Sequence, residues 1–332
     1  MKGLFRAAAL LLIWLAGSLG CSTAEPVLGR WSGPAEAYPV EVSPWSYGHR
    51  SGYELRTKHY VVFTTLRDEQ TARMLPQVME GALERYRELA PGVPDSDRPM
   101  ECYLFQLRED FERYTVATTG SDAAVYLRIR NGGYAIRDRY VGHYVGLVGT
   151  MSLASHEGWH QYTGRHFRGR LPPMLEEGIS CMFESVKWEG GLPRWNLSVN
   201  SYRAQSLRTA MDKGHLWSLE ELIEMHAGDA VTRNVEKVEA FYAQSWCFAR
   251  FLWEGEGGKY RQSLQRLLTE TALGTVEDPS RSHQNRAYPW NRTAARPLLE
   301  RYLRTDFQTL AREFGQYMRT VAYDEYMMHF RS

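Results

Sequence analysis

The sequence predicts an α+β chain in which a small α/β layer feeds a helical half. Three observations carry this. "HYVVFTT" (59–65) and "ECYLFQL" (101–107) are short apolar runs of strand length on either side of a segment with helical periodicity. "GGYAIRDRYVGHYVG" (132–146) is rich in the β-branched and aromatic residues that favour strands. Beyond about residue 146, every remaining periodic segment has helical spacing.

Taken in order, the chain opens with "MKGLFRAAALLLIWLAGSLGC", where Lys2 and Arg6 precede an apolar run from Ala7 to Ala16 and then small residues. This is the pattern of a secretory signal, too short for a comfortable membrane-spanning helix. Cys21 after "GSLG" resembles the lipobox of bacterial lipoproteins, in which the cysteine is lipidated and becomes the mature N-terminus, although Ser18 stands where such sequences prefer Leu. Residues 1–20 are therefore expected as a signal peptide. Residues 21–55, rich in Ser, Pro, Gly and Trp without a sustained period, are expected as a tether that becomes ordered as it meets the domain. In the α/β part, 56–146, the 59–65 strand is followed by a helix whose apolar positions Leu75, Val78, Met79, Ala82, Leu83, Tyr86 and Leu89 recur at spacings of three and four. Pro91 and Gly92 break it. The segment 132–146 reads as a strand pair or a long edge strand. Helices are expected over 147–163, 173–187, 218–226, 236–254, 259–271 and 296–321, with a polar loop over 275–295.

Composition narrows the function. The chain has 332 residues, 43% of them apolar, enough for a real core. Its 40 basic residues balance 39 acidic ones without a block of either sign, which argues against nucleic acid as a partner. Once residues 1–20 are removed, Cys102, Cys181 and Cys247 remain beside Cys21. They allow at most one internal disulfide, and no Cys-x-x-Cys pair offers a thiolate metal site.

The segment with the clearest chemistry is "ASHEGWHQY" (154–162). On a helix His156 and His160 lie on one face with Cβ atoms roughly 5 to 6 Å apart, close enough for both imidazoles to converge on one Zn²⁺. Glu157 projects about 100° round the helix from His156, within reach of a water on that ion. Leu147, Met151, Ala154 and Trp159 are available for packing, and Gly164 is placed to end the helix. Gly158 inside the motif lowers helix propensity, which a close approach by another element would explain. A site with three protein ligands needs one more donor, and "LPPMLEEGISCMFES" (171–185) offers Glu176, Glu177 and Glu184 behind two prolines suited to a helix start.

Here the residues resemble a known group. "MLEEGIS" resembles the Trp-Leu-x-Glu-Gly-x-Ala segment of gluzincin metallopeptidases, with Met174 in place of the usual Trp, and sixteen residues separate His160 from Glu177. "FYAQSWCFARFLWE" (241–254) resembles the downstream helix of peptidase MA-like proteins. With "HYVVFTT" and "HEGWHQ", the chain is similar over about 56–320 to peptidase MA-like gluzincins, nearest to bacterial domains of unknown function that carry His-Glu-x-x-His-Gln. The resemblance implies a zincin-like fold: an α/β N-terminal subdomain with its edge strand, near 132–136, over the cleft, zinc helices over 147–187, and a mainly helical C-terminal subdomain over 188–332. It further implies Zn²⁺ held by His156, His160 and Glu177, with Glu157 as general base, Tyr242 as oxyanion donor, and Glu184 as a partner behind the ligands.

The expected function is a zinc metallopeptidase, endo- rather than exo-acting, that takes peptide or protein substrates. It is expected as a monomer in the bacterial cell envelope, touching the membrane only through its lipid anchor. The rival is a non-catalytic envelope lipoprotein that uses the same scaffold to bind peptides, glycans or partner proteins; hydrolysis of a cell-wall amide would use the same site. His143, His166, His215 and His226 have no metal-spaced partner and are expected as ordinary surface or core residues, and Arg165, Arg168 and Arg170 as a solvated loop.

Overall fold

The structure is a computed structural model that describes residues 28–129, 132–276 and 290–331. The signal segment, Cys21 and most of the expected 275–295 loop lie outside them. Among the described residues no helix is long and apolar enough to cross a membrane.

From Leu28 on, the segment expected as a tether is ordered against the domain, over a longer stretch than a tether needs. Ser32 and Trp195 exchange two backbone hydrogen bonds (2.9 and 2.8 Å), and the Leu28 carbonyl accepts from Asn196 Nδ2. Strands β1 (Glu41–Tyr47) and β2 (Arg50–Arg56) then pair antiparallel and join β3 (Tyr60–Thr64). Period-two patterning failed here because β1 is an edge strand, exposed over its first four residues, where Pro44 is tolerated. Trp45 pairs with Gly52, and its indole reaches Phe63 with ring centroids 5.5 Å apart. A Cβ on Gly52 would lie 2.0 Å from the Thr64 carbonyl.

The α/β part follows. Helix α1 (Glu69–Leu89) starts at Asp68, whose carboxylate accepts from the Gln70 and Thr71 amides. Strand β4 (Met100–Phe105) lies parallel to β3, and α2 (Arg108–Thr119) and α3 (Ala123–Tyr126) follow it. Strands β5 (Gly133–Ile136) and β6 (Arg139–His143) form the expected strand pair. The six strands make one mixed sheet, ordered β1-β2-β3-β4-β6-β5, with β5 at its edge.

Helices dominate the rest: α4 (Leu147–His166), α5 (Pro173–Met182), α6 (Ser201–Asp212), α7 (Leu219–Glu224), α8 (Ala227–Arg233), α9 (Val238–Gly258), α10 (Arg261–Leu273), α11 (Ala295–Leu303) and α12 (Phe307–Arg319). A hairpin of β7 (Val186–Glu189) and β8 (Leu192–Trp195) interrupts them, ending the expected 173–187 helix at Met182. The expected 296–321 helix is two helices, parted where Arg304 turns left-handed (φ +52°). One continuous apolar core runs from the sheet through α1, α4 and α5 to α9 and α12, so the two halves share it. A smaller cluster around Phe105, Phe111, Tyr134 and Val141 lies apart from it. All three described cysteines are buried free thiols.

A buried histidine gives the helical half a pH dependence. His329 is 1% exposed and packs against Trp246; Asn200 N–H donates to its Nδ1 (3.4 Å), and the Arg250 guanidinium lies 3.5 Å from its Nε2. Burial, then Arg250, pushes its pKa from 6.5 to about 3. Because the folded-state value is depressed, this contribution to stability is complete above about pH 6.5 and shrinks as pH falls toward 3, where only the unfolded chain takes the proton. The loss should reach about 2 kcal/mol by pH 5. Urea unfolding of wild type and His329→Gln at pH 7 and pH 5 checks this: the variant should lack that increment.

Candidate metal centre

Helix α4 carries the first donors. His156 and His160 stand one turn apart with ring centroids 5.2 Å from each other. On the buried side of the helix, Trp159 packs edge-on against Tyr86 of α1 at 5.6 Å. Gly158 is what allows this approach: a Cβ there would lie 2.6 Å from the Tyr86 hydroxyl, which donates to the Ser155 carbonyl. Gly164 does not end the helix, which runs on to His166; it admits the Arg137 carbonyl from the β5–β6 turn, 1.5 Å from where its Cβ would stand.

Helix α5 brings the third donor. Pro172 and Pro173 open it, and Gly178 lets it press on α9, since a Cβ there would lie 2.1 Å from the Ser245 carbonyl. One Glu177 oxygen thereby stands 3.5 Å from His156 Nε2 and 3.6 Å from His160 Nε2. Both histidines are backed by carboxylates on their other nitrogens. His156 Nδ1 lies 3.0 Å from Glu184 Oε1, and His160 Nδ1 lies 3.7 Å from Glu176 Oε1. Glu176 also accepts from Thr163 Oγ1 (2.6 Å), and Ser180 Oγ lies 3.2 Å from His160 Nε2.

Two groups among the described residues bring possible ligand atoms within 4.8 Å of one another: His156, His160 and Glu177, and His156, Cys181 and Glu184. Chemistry favours the first. In the second, Glu184 is already held by Arg203 and Asn200, and burial pushes the Cys181 thiol up to about 11, so it keeps its proton at neutral pH.

The electrostatics match a cation site. Burial alone would push the His160 imidazole down, but Glu177 and Glu176 hold it at about 10. Burial opposes protonation of His156 as well; Cys181, Glu177 and Glu184 outweigh it and hold the pKa well above 6.5. Against the cost of burial, the same two imidazoles keep the Glu177 carboxyl well below the usual range. Glu157 goes the other way: burial raises it despite the nearby histidines, and the Ala135 amide of β5 faces it. The two imidazoles thus hold protons against Glu176, Glu177 and Glu184, and a divalent cation can replace those protons.

These residues line one cleft of about 540 Å³, with Tyr242 of α9 and the edge strand at Gly133–Ala135 in its walls. The chain matches no family profile, no curated protein and no solved structure. His156, Glu157, His160, Glu177 and Tyr242, named from the sequence, converge on the cleft, and Glu184 lies behind His156. His226 was expected to be an ordinary histidine but lines the cleft; it arrives on the α7–α8 connection, so no spacing along the chain announced it. His143 lies elsewhere, against Phe111, and His166 faces the Pro94 carbonyl. Of the three arginines expected in a solvated loop, Arg170 lines the cleft and Arg165 pairs with Asp138 (2.9 Å).

Proposed function

We propose that this chain is a zinc-dependent peptidase of gluzincin type on a zincin-like fold. The observation that carries the proposal is the convergence of His156 Nε2 and His160 Nε2 on one Glu177 oxygen at 3.5 and 3.6 Å. Ligands held at about 2.0 to 2.1 Å in a tetrahedron stand about 3.4 Å apart, close to both histidine–carboxylate spacings, and three protein ligands leave one position open. Bound there, Zn²⁺ would polarise a carbonyl and make a water acidic enough to lose a proton near neutral pH.

The chain's own groups do the rest. Glu157 accepts the water's proton as the water attacks the scissile carbonyl carbon, and returns it to the leaving amine. Its burial suits this role, because a raised pKa brings a carboxylate nearer the working pH. Tyr242 keeps its proton firmly, burial first and Glu177 next pushing its pKa up, so it is a hydrogen-bond donor for an oxyanion rather than a base. Among the described residues no strand pairs with the outer side of β5, and alternate residues of an antiparallel edge strand present their backbone groups outward. An extended peptide can add there as a further strand, its carbonyl brought to the cleft. The N-terminal pattern ending at Cys21 supports placing the enzyme on an envelope membrane by a lipid.

The test is direct. The purified chain should carry a single zinc by elemental analysis and should cleave members of a mixed peptide library read by mass spectrometry; chelation should stop cleavage and added zinc restore it. A wild type without bound metal that zinc cannot activate would refute the proposal.

A further inference from the structure

Helix α6 is mostly polar and carries none of the motif, yet it sends one side chain to the site. Asn200 caps the helix by accepting from the Arg203 amide (3.0 Å), which fixes Arg203 in the first turn. The Arg203 side chain is only 11% exposed and grips Glu184 with two donors: Nη2 to Oε1 at 2.7 Å and Nε to Oε2 at 2.9 Å. Asn200 Nδ2 adds a bond to Glu184 Oε2 (2.9 Å) and another to the Cys181 carbonyl (2.9 Å). Glu184 is thereby left with one task, to hold His156 Nδ1 at 3.0 Å. The same guanidinium lies over the Tyr242 ring at 5.1 Å and over Tyr202 at 5.0 Å, with Glu239 at 3.3 Å beyond.

We propose that Arg203 is a positioning residue that sets both halves of the site at once: through Glu184 it orients the imidazole that offers Nε2 to the metal, and through its face it holds the Tyr242 ring. The histidine half stands on metal binding alone; the tyrosine half rests on the peptidase proposed above. Arginine suits the task where lysine does not, because its planar fork satisfies two carboxylate oxygens and presents a flat cationic face to an aromatic ring. The pair also cancels charge locally, so Glu184 backs the histidine without competing as a ligand.

The experiment uses the full chain and Zn²⁺ in competition with a chromogenic chelator, on Arg203→Lys, Arg203→Met and Glu184→Gln. Each folded variant, checked by circular dichroism, should bind zinc about 10- to 100-fold more weakly than wild type, the range for residues that orient a ligand. Arg203→Lys keeps the buried charge, so it and Glu184→Gln decide the matter should Arg203→Met fail to fold. Zinc affinity within about twofold of wild type in both would overturn the histidine half.

For the tyrosine half, Tyr242→Phe is compared in the wild-type and Arg203→Lys backgrounds, measuring kcat at saturating zinc. A ring held by Arg203 predicts that the loss from Tyr242→Phe is smaller in the Arg203→Lys background; equal losses would overturn it. A wild type that binds zinc without cleaving peptides would refute the peptidase and with it this half, while the affinity series would still judge the other.

Discussion

Glu157→Gln should keep its zinc and lose peptide hydrolysis, with kcat falling by about two to four orders of magnitude. The carboxamide has nearly the shape of the carboxylate but cannot take up a proton, so an attacking water would lose its acceptor while His156, His160 and Glu177 stay as they are. The fold should not suffer. Burial already disfavours the charge on Glu157, so a neutral group there removes a cost, and the thermal midpoint should hold or rise slightly. Elemental analysis beside kcat and KM on one cleaved peptide makes the test. A scaffold that only binds peptides or glycans would behave alike with either residue, so unchanged behaviour would support that rival.

The other large effect concerns Glu177. Glu177→Ala should weaken zinc binding by more than the roughly hundredfold upper range of an orienting residue, because it removes a ligand itself. It should also change how the affinity depends on pH. In the wild type Glu177 helps to hold the His160 proton up to about pH 10, so zinc must displace protons and its affinity climbs as pH rises across the neutral range. Without that carboxylate burial is less opposed, His160 loses its proton at lower pH, and the climb above neutrality should flatten. Chelator competition at pH 6.5, 7.5 and 8.5 on both proteins gives the two slopes.

What the sequence made legible follows from local rules. Two histidines four apart need only a helix to face the same way, and the packing of Met151, Ala154 and Trp159 supplies it. Glu177 was picked out from Glu176 and Glu184 only by the resemblance of "MLEEGIS" to the gluzincin segment, and the structure gives the glycine of that segment a reason in the close contact with the Ser245 carbonyl. Much of the rest depends on tertiary placement. Arg203 sits on a helix with only Ala204, Leu207 and Ala210 buried, too weak a stripe to stand out; Asn200 as its cap was the one local signal available. The β1–β2 strands hid behind Pro44, which the edge position of β1 tolerates, and Gly52 of β2, where a Cβ would meet the Thr64 carbonyl. The two-residue turn of β7–β8 is Gly190–Gly191, both left-handed, just past the 173–187 segment expected as helix, whose last two residues begin β7.

The docking of the N-terminal segment has a consequence for reach. With Leu28 and Ser32 fastened near Trp195, only residues 22–27 separate Cys21 from the folded body. Even fully stretched, that linkage spans about 24 Å. A globule of this size is about 50 Å across. A lipid on Cys21 would therefore work as a hinge pin more than a leash: the folded body could swivel on the bilayer but would stay no more than about 24 Å from it.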